Sequence, residues 1–214
     1  MPGRARSVAK RDRLCGPAAV VLAAGASSRF GGVKQLARIG GLTLVERAVV
    51  SIPRGRVREV VVVVGFEADS VAKSLGSRPD VKVVVNPDYL AGMSTSIRTG
   101  IRALSRDSTG ALLILADQIF VTPLLLRRIL EAFEELGRGR KIVAASEGGL
   151  VCPPVVFPKR YFAELESLQG DQGARSLIDR HPAELLTIGV RKRGTLRDVD
   201  TPEDLAEARR LLEP

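Results

Sequence analysis

The stretch AAVVLAAGASSRFGGVK, residues 18–34, decides the fold. Its first half is an apolar run without polar alternation, which is typical of a strand buried on both faces of a sheet. Its second half contains glycine and small polar residues together with two cations, Arg29 and Lys34. Small side chains let backbone N–H groups approach phosphate oxygens, and the cations can neutralise the phosphate charge. The stretch therefore predicts a buried strand followed by a phosphate-binding loop, with a glycine-rich surface turn as the alternative.

The spacing within this loop excludes the two commonest phosphate-binding patterns. A Walker A loop needs glycine directly before the lysine, and here Val33 separates Gly32 from Lys34. The dinucleotide fingerprint needs a second glycine two residues after the first, and Ser27 stands at that position. The loop must therefore belong to another class.

The rest of the chain alternates short β-branched runs with segments of helical period. We predict strands at 18–23, 59–64, 81–85, 111–115, 141–145 and 185–188. We predict helices at 43–52, 68–75, 94–104, 122–136, 174–180 and 202–212. Because several strands are unbroken apolar runs, we expect a mostly parallel, Rossmann-like sheet in a three-layer α/β/α domain.

The composition is that of a folded soluble protein. Of the 214 residues, 45% are hydrophobic and 27% charged, while aromatic residues make up 4% and tryptophan is absent. Few side chains are thus available to stack on single-stranded nucleic acid. The apolar stretches are too short to span a bilayer, and no secretory signal is visible. We therefore expect a cytoplasmic protein with neither a membrane nor a nucleic acid as its partner.

The net charge of +9 is concentrated in part at the N-terminus, where five cations and one acid lie within the first thirteen residues. We predict that residues 1–16 form a disordered basic extension and that residues 17–214 form a single domain. An RNA-associated protein that works through this extension is an alternative. The mild charge of the remainder suits an anionic small molecule. Cys15 and Cys152 lack metal-ligand spacing, so we expect ordinary thiols.

Two carboxylates occupy positions typical of a metal site. Asp117 follows an apolar strand directly, and Asp200 precedes the helix start Thr201-Pro202. In open α/β sheets, ligands bind at the carboxyl ends of the strands, and carboxylate oxygens are preferred ligands of Mg²⁺. We therefore predict Asp117 as a ligand of a Mg²⁺ cofactor, with a capping or turn role as the alternative.

The opening loop, LAAGASSRFGGVKQL, resembles the signature of the MobA-like NTP transferase superfamily, L-A-[AG]-G-x-S-x-R-[MF]-G-x-x-K. Members transfer a nucleoside monophosphate from a nucleoside triphosphate to a phosphate and release pyrophosphate. The resemblance implies a fold of the nucleotide-diphospho-sugar transferase type. It also implies that the backbone at Leu22, Ala23, Ala24 and Gly25 borders the nucleobase, and that Arg29 and Lys34 hold phosphates. The segment RDVDTPEDL resembles the family's D-[VI]-[DN]-T-P-E-D-L, which implies that Asp200 is the second Mg²⁺ ligand. Asp198 is a weaker candidate, and helix capping is the alternative for Asp200.

Later segments are similar to those of the molybdenum cofactor cytidylyltransferases. The segment NPDYLAGMSTSIRTGI implies nucleotide binding, and its serines could instead only cap a helix. Gly65, which follows the second predicted strand, is a further candidate. The nucleotide-binding candidates are therefore Gly65, Asn86, Gly92, Ser94 and Ser96.

The segment LQGDQGARSLI is similar to the family's G-D-x-G-A-R, which lies beside the acceptor, and a helix-start turn is its alternative. It supplies the acceptor candidates Gly170, Asp171, Gly173 and Arg175. Two departures from the family are Ile119, in place of a proline after Asp117, and Cys152, near a usually basic or polar position.

The reaction implied by the resemblance is transfer of CMP from CTP to the phosphate of molybdopterin-type molybdenum cofactor. Arg29, Lys34 and Asp117 are its catalytic candidates. The methyl group of Ala24 narrows the space for a purine and favours CTP. The implied partners are CTP, a phosphorylated pterin and a client molybdoenzyme. The alternatives are a related cytidylyl- or guanylyltransferase for another phosphorylated small molecule, or a non-catalytic protein that delivers the nucleotide or cofactor.

Overall fold

A computed structural model of the protein describes residues 16–213, so the predicted basic extension lies outside the described residues, except for Gly16. The strands are β1 (Ala18–Ala23), β2 (Arg38–Ile39), β3 (Leu42–Thr43), β4 (Val60–Val64), β5 (Val81–Val85), β6 (Gly110–Leu115), β7 (Ile142–Glu147), β8 (Leu150–Pro158) and β9 (Leu185–Gly189). In the described chain they form a seven-stranded sheet of order β5-β4-β1-β6-β8-β7-β9 and a small β2-β3 hairpin.

Strand β1 lies at the centre of the sheet and pairs in parallel with β4 and β6. Its side chains alternate between the two faces: Val21 packs into one buried apolar cluster and Val20 into the other. Helices cover both faces and complete the three layers. The predicted three-layer, mostly parallel α/β fold is thus confirmed.

The helices are α1 (Leu44–Ser51), α2 (Ala68–Ser74), α3 (Met93–Arg102), α4 (Pro123–Glu131), α5 (Phe162–Ser167), α6 (Arg175–Arg180) and α7 (Pro202–Leu212). A threonine side chain caps the start of α1, α4 and α7. Thr43 and Thr201 each form a capping box, with Glu46 and Asp204 respectively. A cap of this kind contributes about 1 kcal/mol. The predicted helix 122–136 is divided, because α4 gives way to a π-helical turn at Ala132–Leu136.

Strand β8 was not among the predicted strands and is antiparallel to both β6 and β7. Proline has no N–H for a sheet ladder, so Pro153-Pro154 concealed the strand in the sequence. The structure accommodates the prolines at an irregularity of the β7–β8 pairing. Ala144 pairs with Val155 and Ala145 with Cys152, so Pro153 and Pro154 have no partner in the register.

The strand order places a binding crevice beside β1. From β1 the chain moves outward through β4 to β5 and then returns to β6 on the other side of β1. The order of the parallel strands therefore reverses between β1 and β6, and ligands of open α/β sheets bind at such a point. Within the described residues, no helix has the length and apolar character needed to cross a membrane.

Candidate functional site

A cleft of about 480 Å³ opens at the carboxyl ends of β1 and β6. Its volume lies within the usual range for small-molecule sites. Many predicted site residues line it: Leu22, Ala23, Ala24, Gly25, Arg29, Lys34, Gly92, Ser96, Asp117, Asp171 and Asp200. The structure thus brings residues from five separate segments of the chain to one cavity.

Lys34 is held between the two predicted metal ligands. Its Nζ donates hydrogen bonds of 2.8 Å to Asp117 Oδ2 and 2.9 Å to Asp200 Oδ1. Arg29 Nη2 lies 2.8 Å from the other oxygen, Asp200 Oδ2. The Lys34 side chain is only 11% exposed, whereas that of Arg29 is 72% exposed. The buried ammonium therefore forms the centre of the charge network, and Arg29 lies at its mouth.

The network favours the charged forms of Lys34 and Asp200. Burial disfavours the charge of Lys34, but the neighbouring Asp117 and Asp200 outweigh it and raise the pKa of Lys34 above its ordinary value. The hydrogen bond from Lys34, assisted by Arg29, lowers the pKa of Asp200. The site therefore holds Lys34 as a cation and Asp200 as a carboxylate at neutral pH.

A third carboxylate, Asp198, also lines the cleft. Burial, and then the charge of Asp117, raise the pKa of Asp198 to about 6. Its Oδ1 is buried without a hydrogen-bond partner among the described residues. The sequence predicts Asp198 only as a weaker candidate than Asp200, although its position two residues before Asp200 is a signal for it.

Gln35 supports the glycine-containing loop, a role that the loop motif alone did not predict. Its side-chain Nε2 donates a 2.8 Å hydrogen bond to the carbonyl oxygen of Gly25. Ser27 adopts a left-handed backbone with φ of 55°, and its carbonyl accepts from the N–H of Phe30 in a tight turn. Gln35 is 4% exposed. The buried side chain of Gln35 thus stabilises the loop through this hydrogen bond.

Three nucleotide-binding candidates lie outside the cleft lining. Asn86 is buried, and its amide donates to Thr95 Oγ1 at 2.8 Å and Ser96 Oγ at 3.0 Å. It therefore holds the start of α3, so that Ser96 lies at the cleft. Ser94 is fully buried, with no partner for its hydroxyl among the described residues. A Cβ on Gly65 would lie 2.8 Å from the carbonyl oxygen of Ala24, so this glycine permits close packing behind the loop.

The acceptor candidates contact the nucleotide candidates directly. A Cβ on Gly92 would lie 2.3 Å from the carbonyl carbon of Gly170, and the Ser94 N–H donates to the Gly170 carbonyl oxygen at 3.2 Å. Of the acceptor candidates, Asp171 lines the cleft, whereas Gly170, Gly173 and Arg175 stand behind it. Arg175 faces Asp179, with its Nε 3.9 Å from Oδ2. The segment is therefore placed at the cleft mainly through Asp171 and the backbone contact with Gly92.

The two departures from the family have different surroundings. Ile119 is buried in an apolar cluster with Ile39, Val199 and Leu205, so it anchors the turn after Asp117 to α7. Cys152 lies on β8 outside the cleft lining, and burial raises the pKa of its thiol.

The donor set at the cleft fits a magnesium or manganese ion. Asp117 Oδ1 is buried and has no hydrogen-bond partner in the described chain. Together with Asp200 it offers hard carboxylate oxygens, and Mg²⁺ is usually held by one or two carboxylates plus substrate phosphates and water. No group of three or more histidine, cysteine or acidic side chains in the described part of the chain could hold a metal on its own. A metal held by Asp117 and Asp200 would thus take its remaining ligands from substrate phosphates or water.

A protein-family model described as "MobA-like NTP transferase domain" matches residues 19–185. Nicotine blue oxidoreductase of Paenarthrobacter nicotinovorans is 32% identical over 87% of this chain and 93% of its own.

Two solved structures extend the comparison. Rv0371c of Mycobacterium tuberculosis, solved in complex with manganese, is 30% identical, with a TM-score of 0.72 over 92% of this chain and 98% of that one. A nucleotidyl transferase of a Methanothermobacter species, 23% identical, shares the fold, with a TM-score of 0.79 over 92% of this chain and 98% of its own. The chain belongs to the MobA-like NTP transferase domain family of nucleotidyltransferases.

Proposed function

We propose that the protein transfers CMP from CTP to the terminal phosphate of a molybdopterin-type cofactor and releases pyrophosphate. The observation that carries the proposal is the placement of Lys34 between Asp117 and Asp200, 2.8 and 2.9 Å away, at the point where the strand order reverses. A cation held by two carboxylates in a cleft suits the binding of a triphosphate together with a divalent metal. The reaction is proposed for the cytoplasm.

In this proposal the acceptor phosphate oxygen attacks the α-phosphorus in line with the departing pyrophosphate. A new P–O bond forms to the acceptor, while the bond from the α-phosphorus to the bridging oxygen breaks. A phosphate is already anionic near neutral pH, so no general base is needed. Arg29 and Lys34 neutralise the charge that develops on the phosphates, and positioning supplies much of the rate.

Asp117 and Asp200 are the residues that would hold Mg²⁺ in this proposal. Bound there, the ion would supply Lewis-acid stabilisation of the phosphate oxygens. Lys34 occupies one oxygen of each carboxylate, so its ammonium would turn toward the phosphates when the ion binds. A 30% identical relative has been solved in complex with manganese, which supports a divalent ion as the cofactor of this chain.

The choice of CTP rests on Ala24. Ala24 lines the cleft and is 2% exposed, and its carbonyl oxygen accepts from the Phe66 N–H at 3.1 Å. The methyl group is thus fixed by the backbone around it and cannot move aside for a larger base. A pyrimidine leaves more room beside such a methyl group than a purine does.

The pterin acceptor is proposed from Asp171 and its neighbours. Asp171 lines the same cleft, and the backbone of Gly170 is packed against Gly92. Two substrates bound on either side of this contact would be brought together for an in-line reaction. Delivery of the product to a client molybdoenzyme would follow.

Pyrophosphate release tests the proposal. It is measured with CTP, GTP, ATP and UTP, each with and without molybdopterin and Mg²⁺. We expect release that needs CTP, molybdopterin and metal together, and its loss in Asp117→Asn. No release with any nucleotide would overturn the enzyme assignment, and release with CTP but another phosphorylated acceptor would overturn the pterin.

A parallel assay tests for oxidoreductase activity, which is stated in the name of the Paenarthrobacter nicotinovorans relative. Consumption of NADH or NADPH is followed spectroscopically with an organic dye as the electron acceptor. We expect no turnover that depends on the protein. Dye reduction in that arm, together with no pyrophosphate release, would assign an oxidoreductase instead.

A further inference from the structure

A second cavity, of about 660 Å³, lies behind the cleft. The two are separated by the turn after β6 and the segment before α7. In the turn, Asp117 lines the cleft, whereas Ile119 and Phe120 line the second cavity. In the other segment, Asp198 lines the cleft and Arg197 the second cavity. The rear cavity, as we call it, is therefore distinct from the proposed nucleotide site.

The rear cavity is strongly cationic. Six basic side chains line it: Arg47, Arg128, Arg191, Lys192, Arg193 and Arg197. Glu207 is the one carboxylate among the lining residues that the structure describes, and it is engaged by Arg197 Nη1 at 3.0 Å. Within residues 16–213, the side chains of Arg128, Arg191, Lys192 and Arg193 form no ion pair. Their charge is left for a ligand to neutralise.

Arg197 lines this cavity and has hydrogen-bond donors without a partner among the described residues. Its Nε and Nη2 are buried and have no hydrogen-bond partner in the described chain, although Nη1 is bound to Glu207. The guanidinium carbon lies 5.6 Å from the centroid of the Phe120 ring. Buried donors without partners are costly, and an anionic ligand that drew the Arg197 side chain toward the cavity would satisfy them.

Three apolar side chains from three helices meet at the same cavity. Val50 of α1, Leu124 of α4 and Leu211 of α7 are 47%, 66% and 59% exposed. Large apolar side chains that remain exposed around a concave surface mark a binding site. Phe120 adds an aromatic face. The cavity thus combines an apolar surface with unneutralised cations.

We propose that the rear cavity is a binding site for a small amphipathic organic anion. Its ligand would have an apolar or aromatic body, placed against Val50, Leu124 and Leu211, and a carboxylate, sulfonate or phosphate group directed to Arg197 and Arg193. The volume is in the range occupied by small-molecule ligands. We assign a ligand with both an apolar body and an anionic group because apolar side chains and cations that are unpaired within the described chain line the same cavity.

The test uses 8-anilinonaphthalene-1-sulfonate, a fluorescent aromatic sulfonate of this chemical class. We expect one saturable site by fluorescence and calorimetry, with an affinity unchanged by saturating CTP and Mg²⁺ and by Arg29→Glu in the cleft. Arg193→Glu is expected to weaken binding at least about tenfold, since a charge-assisted contact is replaced by repulsion. The matched control, Arg140→Glu, reverses an exposed charge outside the cavity lining and should leave the affinity unchanged.

Leu124→Ser provides the second variant, because it changes the apolar part and removes no charge. It is expected to weaken binding of the sulfonate, while circular dichroism and melting temperature stay close to those of the parent. The proposal fails if the dye is displaced by CTP, or if both variants bind it as tightly as the parent. Inorganic sulfate binding as tightly as the dye would show a simple cation cluster and overturn the amphipathic assignment.

Discussion

The ammonium of Lys34 lies 2.8 Å from the carboxylate of Asp117, a residue 83 positions further along the chain. Lys34 follows the loop after β1, and Asp117 follows the neighbouring strand β6. The parallel pairing of these strands brings the two side chains to the same edge of the sheet. Their ion pair therefore reports the topology of the central sheet as well as the charge of the site.

Replacing Lys34 with methionine should separate metal binding from turnover. The change removes a cation beside Asp117 and Asp200, so we expect Mn²⁺ to bind several-fold more tightly without nucleotide, on the order of 1 kcal/mol. We expect nucleotidyl transfer to fall by about 10²–10³-fold, as it does when a donor to developing charge is lost. Mn²⁺ affinity is measured by electron paramagnetic resonance titration. Lys73→Met, on the exposed face of α2, is the matched control. Weaker Mn²⁺ binding in the Lys34 variant would contradict the assignment of Asp117 and Asp200 as metal ligands.

Replacing Gly92 with alanine should destabilise the contact between the two halves of the cleft. Gly92 has a φ of 105°, and an added Cβ would lie 2.3 Å from the carbonyl carbon of Gly170. Strain and overpacking together should lower the free energy of unfolding by about 2–4 kcal/mol. Urea denaturation measures the change. Gly55→Ala, where a Cβ meets open space, should alter stability little, and equal stability of both variants would show that the Gly92–Gly170 contact is not tight in solution.

Replacing Ala24 with glycine should relax the choice of base. Without the buried methyl group, GTP gains room in the cleft, and we expect the ratio of kcat/KM for CTP over GTP to fall by about tenfold. The measurement is pyrophosphate release with each nucleotide under matched conditions. Ala26→Gly adds backbone freedom in the same loop without removing the methyl group beside the predicted base position. An unchanged ratio in the Ala24 variant would move the choice of base to another residue.

The thiol of Cys152 should react slowly with alkylating agents. Burial, and then the charges of Asp198 and Glu147, raise its pKa, so at any given pH less of it is the nucleophilic thiolate. In a Cys15→Ser background, we expect iodoacetamide to modify Cys152 more slowly than in urea, with a pH midpoint above that of the unfolded chain. Mass spectrometry follows the modification. A midpoint below that of the unfolded chain would show that a nearby cation, such as Arg175, dominates the environment of this thiol.

The elements with one clear local signal were predictable. Strand β1 has the predicted bounds because its unbroken apolar run serves both faces of the sheet, and the threonine caps mark the starts of α1, α4 and α7. Strand β8 was missed because Pro153-Pro154 argues locally against a strand. Only its position between β6 and β7, with an irregular register, made that sequence compatible with the sheet.

The residues of the candidate site also divide into those that local motifs predicted correctly to lie at the cleft and those that they did not. Arg29, Lys34, Asp117 and Asp200 were predicted from local motifs, and they do meet in the cleft. Asn86 and Ser94 belong to an equally recognisable motif, yet neither lines the cleft: the Asn86 amide holds the start of α3, and Ser94 is fully buried. A motif records which residues occur together, but the direction of each side chain depends on its packing.

The sequence by itself determined the class of the fold and the chemical groups of the site, because apolar periodicity, caps and loop motifs are encoded within short segments. Only the tertiary structure decided that Lys34 is shared between Asp117 and Asp200, that Gly92 is packed against Gly170, and that a cationic cavity lies behind the cleft. These relationships join residues far apart in the chain, so they depend on strand order and on the packing of helices against the sheet. Local sequence carries no signal for them.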